Sequence, residues 1–326
     1  MTVEECVTKE YKCILNSANS KTHFISSNQC LNEWDDKCED SPKYQHVFYQ
    51  FTCSCITDTT NELIEIASSQ WEKLRNLYGN KRIYSCSYNL LQTLIDCVKQ
   101  NENFKVSIYS LNGDWETDGT FIAKFYNQIY CNTLSDNFQR LLDILNCLDN
   151  TQEYWVSGYQ ERFSSTVKQH FLLCGLLENE FKEEGTFWYH LPIEEALAFQ
   201  DKAPHHLNLR HLEETHADQV NSVWPHRQPG SLEYVKLLIQ CFDSVGVFDE
   251  GNNLIAWCLV APLGCLSLLQ VIDSHKRQGL GQLAVRYMSS LLARKGLEVT
   301  APVVFNNIAS RSLFEKMGFK VVDKKI

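Results

Sequence analysis

The 326-residue chain has little proline (7), little glycine (14) and only 3 methionines, which excludes a collagen-like or linker-dominated protein. A cationic surplus is missing too. Its 30 Lys and Arg face 40 Asp and Glu, for a formal net charge of −10. No nucleic-acid partner is expected, because duplex binding needs clustered cations. No apolar run approaches the ~18 residues of a membrane span. The start, with Glu4, Glu5 and Glu10, lacks the apolar stretch of an export signal. Hence no membrane partner is expected, and the expected address is the cytoplasm, with mitochondrion and nucleus left open. There is no C-x-x-C pair, and the spacings of Cys30, Cys38, Cys53 and Cys55 fit no standard zinc frame, so no metal site is expected. Without export, the 14 cysteines read as reduced thiols.

What remains is a globular composition, 44% hydrophobic and 21% charged, long enough for two domains with real cores. Residues 1–60 hold six cysteines and little periodicity, and read as a poorly ordered, Cys-containing extension. Residues 61–200 read as a mixed α/β domain. Helical spacing covers 62–78 and 88–99, and alternation marks strands at 104–111, 120–132 and 187–191. Ser135 is placed as the cap of a helix reaching Leu148. Asp201 to His205 is the expected linker. From 205 to 326 the pattern is clearer, in the order β-α-α-β-β-β-α-β-α-β, with Thr215 as a helix cap and Asp218 completing a capping box. The charge divides unevenly: 13 Lys and Arg meet 11 Asp and Glu after residue 204, against 17 and 29 before it.

The chemistry concentrates in His275-Lys-Arg-Gln-Gly-Leu-Gly281, between a strand and a long helix. Gly279 and Gly281 allow close backbone approach to a ligand. Amides from Arg277 through Gln278, Gly279, Leu280 and Gly281 to Gln282, at a helix N-terminus, can donate to phosphate oxygens. Lys276 and Arg277 add positive charge. The set suits a pyrophosphate. Gly279-Leu-Gly281-Gln-Leu-Ala284 also satisfies the dinucleotide pattern G-x-G-x-x-A. There, however, the first glycine follows directly on a strand, and the ribose-binding acid ends the next one. Here Asp273 to Gln278 intervene, and Glu298 begins its strand.

Lys276-Arg-Gln-Gly-Leu-Gly281 resembles the R/Q-x-x-G-x-G/A motif of the GCN5-related N-acetyltransferases. Asn306-Asn-Ile-Ala-Ser-Arg-Ser-Leu-Phe-Glu-Lys-Met-Gly-Phe319 resembles that superfamily's last signature. The wording is most similar to the glycine N-acyltransferase-like branch with its FR47-type domain, including Ile255-Ala-Trp257 after a hairpin. The resemblance implies a mixed-sheet α/β fold in 205–326 and a degenerate, similarly folded half in 61–200. It implies acetyl-coenzyme A or another acyl-coenzyme A as substrate, bound along Val271 and Ile272 and over residues 276–282. Asn307, Ser310 and Phe314 would lie along the pantetheine or adenosine side.

By the same resemblance, a small amine or amino acid would attack the thioester directly, with the N–H near Val271 as oxyanion donor. Two family groups are absent. Phe314 stands where many relatives have a Tyr as general acid, and Cys265 stands where the glycine acyltransferases are thought to use a Glu. No catalytic residue is therefore assigned; Cys265, Ser267, Asp273, His275 and His226 are candidates, and Trp257 is read as core. An N-acyltransferase is the expected activity. A coenzyme A-binding sensor or scaffold and a protein N-acetyltransferase are the alternatives. The oligomeric state is not readable.

Overall fold

The computed structural model describes residues 61–81, 86–101, 104–200 and 202–325, all within one compact unit spanning 48–326. The expected extension at 1–60 lies outside the described residues. The first half runs β1 (Leu63–Glu65), α1 (Trp71–Leu77), α2 (Ser87–Gln100), β2 (Val106–Leu111), β3 (Phe121–Phe125), β4 (Gln128–Asn132), α3 (Gln139–Asn146), β5 (Trp155–Val156), α4 (Ser164–Leu173) and β6 (Thr186–Leu191). A short helix, α5 (Ile193–Leu197), leads on. The second half follows as β7 (Asn208–Arg210), α6 (Ala217–Ser222), α7 (Ser231–Cys241), β8 (Ser244–Phe248), β9 (Leu254–Val260), β10 (Leu266–Val271), α8 (Leu280–Arg294), β11 (Val299–Val304), α9 (Ile308–Lys316) and β12 (Lys320–Lys325). Both halves share the order β-α-α-β-β-β-α-β-α-β. The duplication is a repeat of form that the letters do not show.

Three sheets result. The first is β1-β2-β3-β4-β5, the second β10-β9-β8-β7, and the third β11-β6-β12. The third sheet mixes the halves. β6, from the first half, lies antiparallel between β11 and β12, with Tyr189 opposite both Ala301 and Val321. One core accordingly runs from Trp71 and Leu94 through Trp188 to Val299 and Phe319. A smaller one lies under α3 and α4 around Leu141 and Phe163. β9 is apolar and buried at every position, as expected of a strand covered on both faces.

Local readings shift where side chains outcompete propensity. The helix expected over 62–78 begins only at Trp71, because residues 63–65 pair with residues 109–111 of β2. The Trp71 indole N–H donates to Ile66 C=O at 2.8 Å and fixes the break. Ser135 Oγ accepts from Asn137 N–H at 3.1 Å and caps a turn, while the helix starts at Gln139. Instead of Thr215 and Asp218, Glu213 and His216 form the reciprocal capping box.

The two halves differ where their fourth and fifth strands meet. In the first, β4 and β5 are hydrogen-bonded in parallel, Gln128 opposite Trp155 and Ile129 opposite Val156. Their counterparts in the second half, β10 and β11, end different sheets and have no pairing between them among the described residues. Among the described residues the hydrogen-bonded ladder is interrupted there, which leaves a gap between β10 and β11.

Candidate acyl-donor cleft

β10 forms one wall of the gap. Leu268 and Leu269 together face the single residue Cys258, so the ladder to β9 contains a bulge, with Leu268 at φ +46°. Such a bulge bends the strand and sharpens its twist. Ile272 N–H donates to Ile255 C=O at 3.0 Å. Because backbone groups alternate sides along a strand, Val271 turns its own N–H and C=O to the open edge. Residues 267–271 are half-buried although mostly apolar. That is what a strand with no neighbour on one side looks like.

At the end of β10 the chain makes one 3₁₀ turn, Asp273–His275, then passes through left-handed conformations at Arg277 (φ +63°) and Gly279 (φ +81°). Alternating hands of this kind turn successive N–H groups into a concavity that fits an anion. Among the described residues no backbone acceptor meets the N–H of Arg277, Gln278 or Gly279. The first bond of α8 is Leu283 N–H to Gly279 C=O at 3.0 Å. Leu280, Gly281 and Gln282 therefore carry the orphan donors of a helix start. Residues 276–279 are exposed, whereas Leu280 and Gly281 are buried.

The glycines divide their work differently from expectation. A Cβ on Gly279 would meet nothing within 4 Å, so its requirement is the left-handed φ alone. On Gly281 it would lie 3.2 Å from Leu313 Cδ1 and 3.6 Å from Val271 Cγ2, between the wall of β10 and α9. Lys276 Nζ is already matched, 2.6 Å from Asp273 Oδ1, in an exposed pair that a polyanion can displace at little cost. Arg277 has no acidic partner among the described residues.

On the opposite wall, Asn307 is the cap of α9, its Oδ1 accepting from Ser310 N–H at 3.0 Å. Asn307 is exposed and Ser310 half-buried. Phe314 is 4% exposed, stacked on Tyr189 with centroids 6.0 Å apart and edge-on to Phe319 at 5.0 Å. It is a packing residue, with no group that can transfer a proton. Cys265 is 1% exposed. Of the other candidates, Ser267 lies on β10 at the bulge, Asp273 and His275 sit in the exposed turn, and His226 stands apart with Nδ1 3.6 Å from Glu184 Oε2. Trp257 is core. Burial pushes the Cys258 thiol, opposite the bulge, up to about 12, which removes it as a nucleophile.

Sequence reasoning passed over a pair beside the gap. His190 Nε2 lies 2.8 Å from Glu298 Oε2, with side chains 8% and 15% exposed. The residues are 108 positions apart, and only the insertion of β6 beside β11 brings them together.

Residues 244–326 match the family model described as FR47-like protein. An 81% stretch of the chain superposes on 96% of a Drosophila protein, at 23% identity and a TM-score of 0.72, so the fold of both halves is shared. A tandem GNAT protein from the clavulanic acid biosynthesis pathway matches over 81% of this chain and 96% of its own, at 10% identity and TM-score 0.46. A GNAT-family acetyltransferase from Colwellia psychrerythraea matches over 81% and 97%, at 12% identity and TM-score 0.43. The mixed-sheet α/β arrangement is the one that the resemblance to the GCN5-related N-acetyltransferases led us to expect. The FR47-like match thus covers the chain from β8 to its last strand. Among the described residues no helix is long and apolar enough to cross a membrane.

Proposed function

We propose that the protein is an acyl-coenzyme A-dependent N-acyltransferase acting on a small amine or amino acid, in the manner of the glycine N-acyltransferases. The observation that carries this is the unpaired edge of β10, which ends at the exposed stretch Arg277 to Gly279 and the uncapped helix start from Leu280 to Gln282. A diphosphate fits those amides, and Arg277 and the displaceable Lys276 complement its charge. A pantetheine arm, rich in amides, can add to β10 as a strand would, using Val271. Ile272, Leu280 and Gln282 shape the floor of the cleft, and Asn307, Ser310 and Phe314 support its far wall. In this reading residues 205–326 hold the donor, and residues 61–200 cover the acceptor side with a closed copy of the same plan.

The amine attacks the thioester carbon, and the thiol, with a pKa of roughly 8.5, leaves without needing a strong acid. The loss of a hydroxyl at Phe314 is thus tolerable. Incubation with acetyl-, benzoyl- and longer acyl-coenzyme A and a panel of amino acids should release thiol above background for at least one pair. Failure with every pair, despite coenzyme A binding by calorimetry, would favour a second reading, a non-catalytic sensor or scaffold. The apolar Phe314 and the buried Cys265 favour that reading.

A further inference from the structure

We propose, resting on the transferase reading above, that Glu298 is the general base of the reaction and His190 the residue that positions it. Tyr189 packs against Phe314 of α9, so the alternation of β6 puts Trp188 and His190 on the other face of its sheet. α8 lies beside α9, since Gly281 abuts Leu313. His190 and Thr300, directly opposite it on β11, therefore look away from both helices and towards α2. From α2, Asn89 Nδ2 donates to Glu298 C=O at 2.8 Å. A Cβ on Gly264 would come 2.7 Å from Asn89 Cβ. One side chain thus touches both the residue before Cys265 and the residue before β11. Asn89 thus links the starts of the two strands.

Three buried polar atoms on the facing elements lack a partner: Asn89 Oδ1 and Thr93 Oγ1 of α2, both residues beside Gly264, and Thr300 Oγ1 of β11. Their residues are only 2%, 8% and 2% exposed. Buried polar atoms without partners are uncommon in folded proteins, and three on elements that contact or carry Glu298 point to a polar group that completes them. His190 holds the Oε2 of Glu298, and the described residues direct no hydrogen bond at its Oε1. A carboxylate lost at Cys265 is returned from the neighbouring strand.

The step balances with these groups alone. An ammonium gives one proton to Glu298, and the freed lone pair forms the C–N bond to the thioester carbon. The C–S bond breaks with its electrons on sulfur, which takes the second N–H proton. Glu298 returns its proton to solvent. Products are an amide, coenzyme A thiol and one proton.

The test compares wild type with E298Q, E298D and H190N, measuring coenzyme A affinity by calorimetry and thiol release from pH 6 to 9. The acyl donor and amine are the pair giving the highest wild-type release. E298Q should bind coenzyme A within threefold of wild type yet lose about 10²–10⁴-fold in kcat/KM, with the rise of rate on the acid side abolished. E298D should recover part of the rate, and H190N should keep activity with that acid-side rise displaced along the pH axis. If E298Q turns over within threefold of an active wild type, the assignment is overturned while the transferase reading stands, and the pair only pins β6 to β11. If E298Q does not fold, an acid-side rise that H190N and E298D leave in place overturns it equally. A wild type inert with every amine removes both.

Discussion

Replacing Gly281 by alanine tests the cleft with one methyl group. Within a helix, alanine is favoured over glycine by about 1 kcal/mol. Against this, the new Cβ lies 3.2 Å from Leu313 Cδ1, the free end of a half-buried side chain that can retreat by a few tenths of an ångström. Stability should change by less than about 1 kcal/mol in either direction, a shift of only a few degrees in Tm. The methyl nonetheless stands between Val271 and Leu313, beneath the amides of Arg277 to Gln282. Displacing a diphosphate from one or two of those donors forfeits about 1.5–3 kcal/mol per charged hydrogen bond. Coenzyme A affinity should fall by roughly 10- to 100-fold or more. Calorimetric titration with coenzyme A, paired with thermal denaturation, reads both quantities. G279A is the contrasting control: nothing would touch its Cβ, but φ +81° costs alanine about 1–2 kcal/mol. A folded G281A protein that binds coenzyme A as tightly as wild type would refute the placement.

Three other outcomes follow from the packing. His170 is fully buried, its Nδ1 2.9 Å from Asn146 Oδ1 and its Nε2 2.7 Å from Tyr154 Oη, and burial lowers it from 6.5 to about 4. The unfolded chain binds that proton first as pH falls, so stability on the order of 3 kcal/mol should be lost between pH 6.5 and 4; urea unfolding of wild type against H170Q checks it, and equal slopes would refute it. Trp188 is 1% exposed on the central strand of its sheet, and W188A should cost about 3–5 kcal/mol by chemical denaturation. A fragment of residues 205–326 should show no cooperative thermal transition, because it lacks the strand that joins β11 to β12.

The strand, turn and helix that border the proposed cleft were legible because they are local. Gly279 and Gly281 announce a helix start, and Asp249 to Asn253 with the apolar run Leu254–Val260 define a hairpin and a strand that occur where expected. Alternation in residues 187–191 likewise gives a strand, but alternation says which face is buried and not which strand is the neighbour. The transfer of β6 into the other half, and with it the meeting of His190 and Glu298, depends on pairing across more than a hundred residues. Glu298 drew notice only as a possible ribose ligand, since nothing nearby in sequence explains it. Capping failed for a similar reason. Ser135 and Thr215 have the right chemistry, but Asn137 and Glu213 stand closer to the true helix starts.

β6 has a history during synthesis that its place in the finished sheet conceals. It leaves the ribosome with both edges bare, and β11 and β12 emerge only more than a hundred residues later. At about 5–20 residues per second, that interval is roughly 5–20 s. An apolar strand unpaired on both sides for so long is a template for other chains. The nascent protein therefore has a reason to engage a chaperone at one definite length, between the appearance of Leu191 and that of Val299.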